Sequence, residues 1–180
     1  MEYRRAKISG GTYFFTVVTY DRNGIFTNPV NVTLLRNAFR HVMEKWPFKI
    51  DAFVLLPDHL HCIWTMPDGD MDFSKRWRLI KSYFTKSCLP EYRNIANDAR
   101  IKKKEQAVWQ RRFWEHFIRD DDDYLRHVEY IHYNPVKHGH AKAPRDWEYS
   151  SFHKYVRQGK YDPDWGAGDL IKFDETIGSE

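Results

Sequence analysis

The chain has 180 residues, 42% hydrophobic and 30% charged, which fits one soluble domain with its own core and excludes a disordered chain. The formal net charge is +4, and the two cysteines, Cys62 and Cys88, show no CxxC pairing, so a disulfide scaffold is excluded. No apolar run approaches the ~18 residues of a membrane span and no signal-peptide pattern follows Met1, so a cytoplasmic protein with no membrane partner is expected.

In chain order, Thr12 to Tyr20 (TYFFTVVTY) follows Gly10-Gly11 and is β-branched and aromatic, which predicts a strand. Asn31 to Trp46 carries Leu34, Leu35, Ala38, Phe39, Val42 and Met43 at helical spacing, with Pro47 closing the helix. Lys49 to Leu56 and His59 to Met66 read as two strands joined at Pro57-Asp58, a hairpin. Phe73 to Ser87 is an amphipathic helix with Trp77, Ile80 and Phe84 inward. Leu89 to Gln106 is polar and basic and reads as a flexible loop. Val108 to Arg119 predicts a fourth strand. Asp120 to Asp123 is an acidic start, suited to the positive end of the helix dipole, for a helix that Pro135 stops. Trp147 to Val156 reads as a short last helix, and the segment after Gly159 as a weakly structured tail, giving a domain over 1–158 and a tail over 159–180. The order β-α-β-β-α-β matches the ferredoxin-like (RRM-like) α+β plan, an antiparallel sheet with helices on one face, here with an added helix. That plan hosts many functions and selects none.

Charge is unevenly placed. Lys75 to Arg112 holds twelve Lys and Arg against three Asp and Glu, leaving the rest of the chain at a net −5. A local basic field beside 17% aromatic residues suggests a phosphate-rich, base-bearing partner; a solvated helix face above an aromatic core produces the same pattern. Lys75, Arg76, Arg78, Lys81, Arg111 and Arg112 are the candidate phosphate contacts, with Lys102 to Lys104 as a looser clamp. Trp109, Trp114 and Trp147 are candidate stacking rings.

His59-Leu60-His61 lies in the third strand, whose period of two sends both imidazoles to one face and Leu60 to the other. Two imidazoles on a rigid strand make half of a divalent metal site, although an HxH pair also arises structurally. In the late helix, Tyr130 and Asn134 are one turn apart on one face, as a phenol nucleophile and an amide oxygen ligand would have to be; an ordinary core tyrosine fits the same spacing. Tyr124 and Tyr133 compete for the nucleophile's place, but neither has a ligand-type residue four positions on within the helix. Asp58 adjoins His59 and, by strand alternation, is expected on the opposite face. His116, His127 and His132 receive no role.

The segments LLPDHLHCIW (Leu55 to Trp64), RRFWEHFIR (Arg111 to Arg119) and YIHYNPVKHG (Tyr130 to Gly139) resemble the REP-associated tyrosine transposases, part of the single-tyrosine HUH class, in which two histidines flank a hydrophobic residue. The resemblance extends from GGTYFFTV at Gly10 to WEYSSFHKYV, nearly the whole chain. It implies that His59, His61 and Asn134 bind Mg²⁺ or Mn²⁺ and that Tyr130 attacks the DNA backbone to give a 5′-phosphotyrosine and a free 3′-hydroxyl. It further implies a partner of single-stranded hairpin DNA from repetitive extragenic palindromic (REP) repeats, guided by a short tetranucleotide. Arg4 and Arg5 with Tyr3, and the Ser150 to Tyr155 region, are candidate edges of that guide site. Related single-tyrosine enzymes are homodimers, whereas the REP-associated group resembles monomers. Two other readings stay open: a binding module with no turnover, and an unrelated hydrolase with a His-His metal site.

Overall fold

A computed structural model describes residues 8–93, 98–103, 106–168, 170–174 and 176–178. Four strands form one antiparallel sheet: β1 (Thr12–Val18), β2 (Lys49–Leu55), β3 (His59–Thr65) and β4 (Trp114–Phe117), in the order β2-β3-β1-β4. This is the ferredoxin-like order, with β1 and β3 central. Strand alternation then sorts the side chains into two cores. Tyr13, Phe15, Val17, Leu60, Cys62 and Trp64 meet helices α1 (Pro29–Lys45) and α2 (Phe73–Ser87) on one face. Phe14, Ala52, Val54 and Ile63 meet α4 (Asp121–Lys137) and Tyr155 of α5 (Phe152–Arg157) on the other. Within the first core, Trp64 and Trp77 stack with ring centroids 4.2 Å apart.

Helix ends follow local chemistry. α1 starts two residues earlier than its apolar period, because the Asn28 side chain accepts from Val30 N and Pro29 occupies the first turn, where no N–H is needed. Asp72 and Asp120 cap α2 and α4 in the same way. Pro135 does not stop α4, contrary to expectation: the helix gives up the one bond its N–H would make to the fourth residue back and runs on to Lys137. The stop is Gly139, at φ 72°.

The fourth strand is shorter than its β-rich run. Thr19 bridges Trp109 and Thr16 pairs with Trp114, so five steps on one chain face three on the other. The two extra residues push Arg111 to Phe113 out of the ladder. The polar stretch before it, expected as a loop, contains a short helix α3 (Asp98–Lys102). Arg100 is buried there, donating to the Trp109 carbonyl at 3.1 Å and lying 4.4 Å from the Tyr20 ring centre. The last helix is likewise shorter than expected, because Tyr149 and Ser151 pair instead with the free edge of β2 at Leu55 and Phe53. After it, the described tail holds neither helix nor strand, yet Tyr161, Phe173 and Ile177 pack against the second core.

Candidate active site

The HxH pair lies on central strand β3 and faces α4, with His59 1% and His61 0% exposed and their ring centroids 5.0 Å apart. Each imidazole is oriented through Nδ1. That of His61 lies 2.9 Å from Thr16 Oγ1, its register partner on β1. That of His59 lies 2.6 Å from Asp58 Oδ1, and Arg22 holds the other carboxylate oxygen at 3.1 Å. The expectation for Asp58 is therefore corrected: it sits in the turn before β3, so alternation does not govern it, and it reaches back to its neighbour. Burial alone would raise the Asp58 carboxyl, but the hydrogen bonds from His59 and Arg22 hold it at about 2. A carboxylate accepting from Nδ1–H leaves Nε2 as the lone-pair nitrogen of His59, as a metal-ligating tautomer requires.

Helix α4 brings the second half of the site. The Tyr130 ring lies 5.3 Å from that of His61, and two turns on, the His138 ring lies 5.2 Å from that of His59. Asn134 stands between them in the chain, one helical turn after Tyr130. It is 0% exposed, and neither Oδ1 nor Nδ2 has a hydrogen-bond partner among the described residues. A buried amide left unpaired costs about 1–3 kcal/mol, so the arrangement calls for a ligand. Two imidazole nitrogens and an amide oxygen suit a divalent cation.

Two features here went unread in the sequence. Lys137 Nζ donates to Tyr130 Oη at 3.0 Å and lies 4.8 Å from the ring centre. Tyr130 is also covered, at 1% exposure: Phe173 packs edge-on at 5.4 Å, and the phenol donates to the Gly178 carbonyl at 3.4 Å. The signal for Lys137 was its i+7 spacing from Tyr130; nothing in the sequence pattern marked Gly178.

The competing tyrosines point elsewhere. Tyr124 Oη lies 3.2 Å from Tyr155 Oη, and the Tyr133 ring packs on Trp165 and Phe173. His132 packs as well: it is fully buried, its Nε2 lies 2.8 Å from Ser151 Oγ, and burial with repulsion from His153 pushes it down to about 3. His116 and His127 converge on Asp123 at the far end of α4.

The basic candidates divide. Arg76 is 1% exposed, with its guanidinium on Asp70 at 2.7 and 3.1 Å and on the Trp46 and Pro47 carbonyls. It ties α2 to the end of α1 and is unavailable to a phosphate. Lys75 lies over the Trp46 ring, Arg78 is exposed, and Lys81 donates to the Gln110 carbonyl at 3.0 Å. These three sit on α2, across the sheet from the histidines. Arg111 and Arg112 are exposed where the chain leaves the β4 ladder. Arg4 and Arg5, with Tyr3 and Lys104, lie outside the described residues. Trp109 is buried in the first core, whereas Trp114 and Trp147 are half-buried beside the second. No helix among the described residues is long and apolar enough to cross a membrane.

A family model described as "Transposase IS200 like" matches residues 7–134. A REP-associated tyrosine transposase of Escherichia coli strain K12 is 47% identical over 172 residues, covering 96% of this chain and 94% of the relative. The chain belongs to the REP-associated tyrosine transposases. A Haemophilus influenzae protein named for the same family is 43% identical over 176 residues, covering 97% of this chain and 98% of the relative. A solved structure described as a REP-associated tyrosine transposase bound to a REP hairpin matches with a TM-score of 0.80 at 47% identity, covering 96% of this chain and 94% of that one. Family membership makes this REP-associated transposase a DNA-processing enzyme, and the close structural match bears out the ferredoxin-like expectation.

Proposed function

We propose that the protein binds a REP-type DNA hairpin and cleaves and rejoins the adjoining single strand through Tyr130. His59, His61 and Asn134 hold the divalent ion, Mg²⁺ or Mn²⁺. The observation that carries this reading is the unpaired, fully buried amide of Asn134, one helical turn from Tyr130 and bracketed by the two ring contacts to the histidines. The relative solved with a REP hairpin supports the DNA partner.

In this reading, Tyr130 Oη attacks the scissile phosphorus and loses its proton to solvent. A P–O(Tyr) bond forms and the P–O3′ bond breaks, and the 3′-oxygen takes up a proton to leave as a hydroxyl. Rejoining runs the same step backwards, so the bond energy stays in the phosphotyrosine and no ATP is needed. When bound, the ion would polarise a non-bridging phosphate oxygen and offset the charge that develops on it. Asp58 keeps His59 in its ligating tautomer, and Thr16 fixes the His61 ring. The Lys137 ammonium stabilises phenolate character on Tyr130 during attack and again during departure. One chain carries every member of the site, so a monomer in the bacterial cytoplasm suffices. Lys75, Arg78, Lys81, Arg111 and Arg112 are the proposed backbone contacts, with Arg4 and Arg5 at the guide.

The test incubates the protein with Mn²⁺ and a labelled hairpin carrying a single-stranded flank. A covalent protein–DNA adduct is expected, lost in Tyr130→Phe and retained in Tyr124→Phe and Tyr133→Phe. An adduct that survives Tyr130→Phe overturns the assignment. Tight hairpin binding with no adduct under any divalent ion would instead favour a binding module.

A further inference from the structure

The second cluster on the α4 face is built from His116, opposite Phe14 on edge strand β4, and from Asp123 and His127, one turn apart on α4. We propose that these three side chains form a second transition-metal site, distinct from the His59/His61 pair, that braces β4 against the helix carrying Tyr130 and Asn134.

The three donors already converge. One ligand atom from each residue lies within 4.8 Å of the others. His116 Nε2 is 2.8 Å from Asp123 Oδ2, and His127 Nδ1 is 3.2 Å from Asp123 Oδ1. Two donors bound about 2.0–2.2 Å from one ion stand about 3–3.5 Å apart, so a shared ion fits with side-chain adjustments alone. It displaces the proton between His116 and the carboxylate, and the His127 N–H that now donates to the Asp123 carbonyl at 2.7 Å. Asp123 and His127 are each 3% exposed, which sets this cluster apart from a solvated group of surface charges.

The surroundings resemble the outer shell of a metal centre. The Arg119 backbone N–H and its guanidinium Nε hold Asp123 Oδ2 at 3.0 and 3.3 Å, the latter a contact the ion would displace, and Trp114 stacks on His116 with 7° between the ring planes. His116 opens on a cavity of about 460 Å³, also lined by Arg119 and Arg126, which gives an ion a way in and leaves room for water or an anion to complete its coordination. The Phe14 ring separates the two centres, 4.9 Å from His127 and 5.5 Å from His61. Two imidazoles with one carboxylate favour Zn²⁺, Mn²⁺, Fe²⁺ or Co²⁺ over Ca²⁺.

The experiment uses the full chain with His59→Ala and His61→Ala combined, so that the first centre is gone. After dialysis against Zn²⁺ and removal of free ion, about one equivalent of zinc is expected, with a rise in Tm of several degrees over the EDTA-treated protein. Both are lost when His116→Ala is added. A double variant that retains no zinc overturns the proposal, and so does zinc that persists through His116→Ala. Should the variants fold poorly, anomalous scattering at the zinc edge from wild-type crystals decides. Density among His116, Asp123 and His127 supports the site, and density confined to His59 and His61 rejects it.

Discussion

The two faces of the sheet obey different rules. Toward α1 and α2 the central strands send Tyr13, Phe15, Leu60, Cys62 and Trp64 into an aromatic core. Toward α4 the same strands send Thr16, His59 and His61, and α4 itself buries Asp123, His127, His132 and Asn134. Burying such groups costs free energy unless each finds a partner. Both faces carry a hydrophobic core, but only the α4 face also bears the cost of a site. Because alternation separates them on β3 residue by residue, chemistry and stability should respond to different mutations.

The largest effects should split along that line. Trp77→Ala is expected to cost about 3–5 kcal/mol by opening a cavity against Trp64, read by chemical denaturation of the metal-free protein. Asn134→Leu should leave Tm unchanged or raise it, because an apolar group replaces an unpaired buried amide. It should also cut adduct formation at least about 10²-fold, as expected for a lost transition-state contact. If Asn134→Leu destabilises as Trp77→Ala does, the division between the faces is wrong.

Acid should weaken the α4 face first. His132 has its folded pKa pushed down to about 3, below an unfolded value near 6.5, so the unfolded chain takes up the proton first. Its contribution is complete above about pH 6.5 and is lost as pH falls toward 3, by about 1.4 kcal/mol per unit. Asp58 and Asp123, both held at about 2 despite burial that alone would raise them, lose theirs lower, between about pH 4 and 2. Urea titrations at pH 7, 6 and 5 should show the first slope, and His132→Gln should flatten it. An unchanged slope would show that His132 is protonated in the folded state.

Lys137→Met should be milder. Removing one charged donor from the attacking oxygen should slow adduct formation about 10–100-fold, with hairpin affinity changed little. Loss of affinity with an intact cleavage rate would make Lys137 a DNA contact instead.

What was legible in the sequence depended on whether a local period carried it. Strand alternation placed His59 and His61 together, and helical period placed Tyr130 with Asn134; both hold in the fold. Asp58 was misplaced because it lies in a turn, where no period applies. Pro135 was read as a stop because a proline restricts the residue before it, yet Asn134 keeps its helical place and α4 runs on to Lys137. Arg76 looked like a surface cation, since nothing local announces that Asp70 and two carbonyls will enclose it. The His116–Asp123–His127 cluster joins a strand to a helix, a juxtaposition that only the packed fold creates.

The tail offers the smallest test, and one that acts on the α4 face alone. Phe173 and the Gly178 carbonyl cover Tyr130, so on the proposed mechanism DNA can engage its phenol only if the tail moves aside. Phe173 also packs on Tyr133, and Ile177 on the second core, but the described residues of this segment form neither helix nor strand. Displacing these contacts should cost at least about 1 kcal/mol, the net worth of a typical hydrogen bond, and so at least several-fold in rate. Ending the chain after Lys172 should therefore raise the initial rate of adduct formation at least several-fold while lowering the urea midpoint only modestly, since of the second core it removes just the partly buried Phe173 and Ile177. A truncated chain that cleaves no faster would mean that the tail already leaves Tyr130 in solution. One that cleaves more slowly would mean that the tail helps to position the phenol.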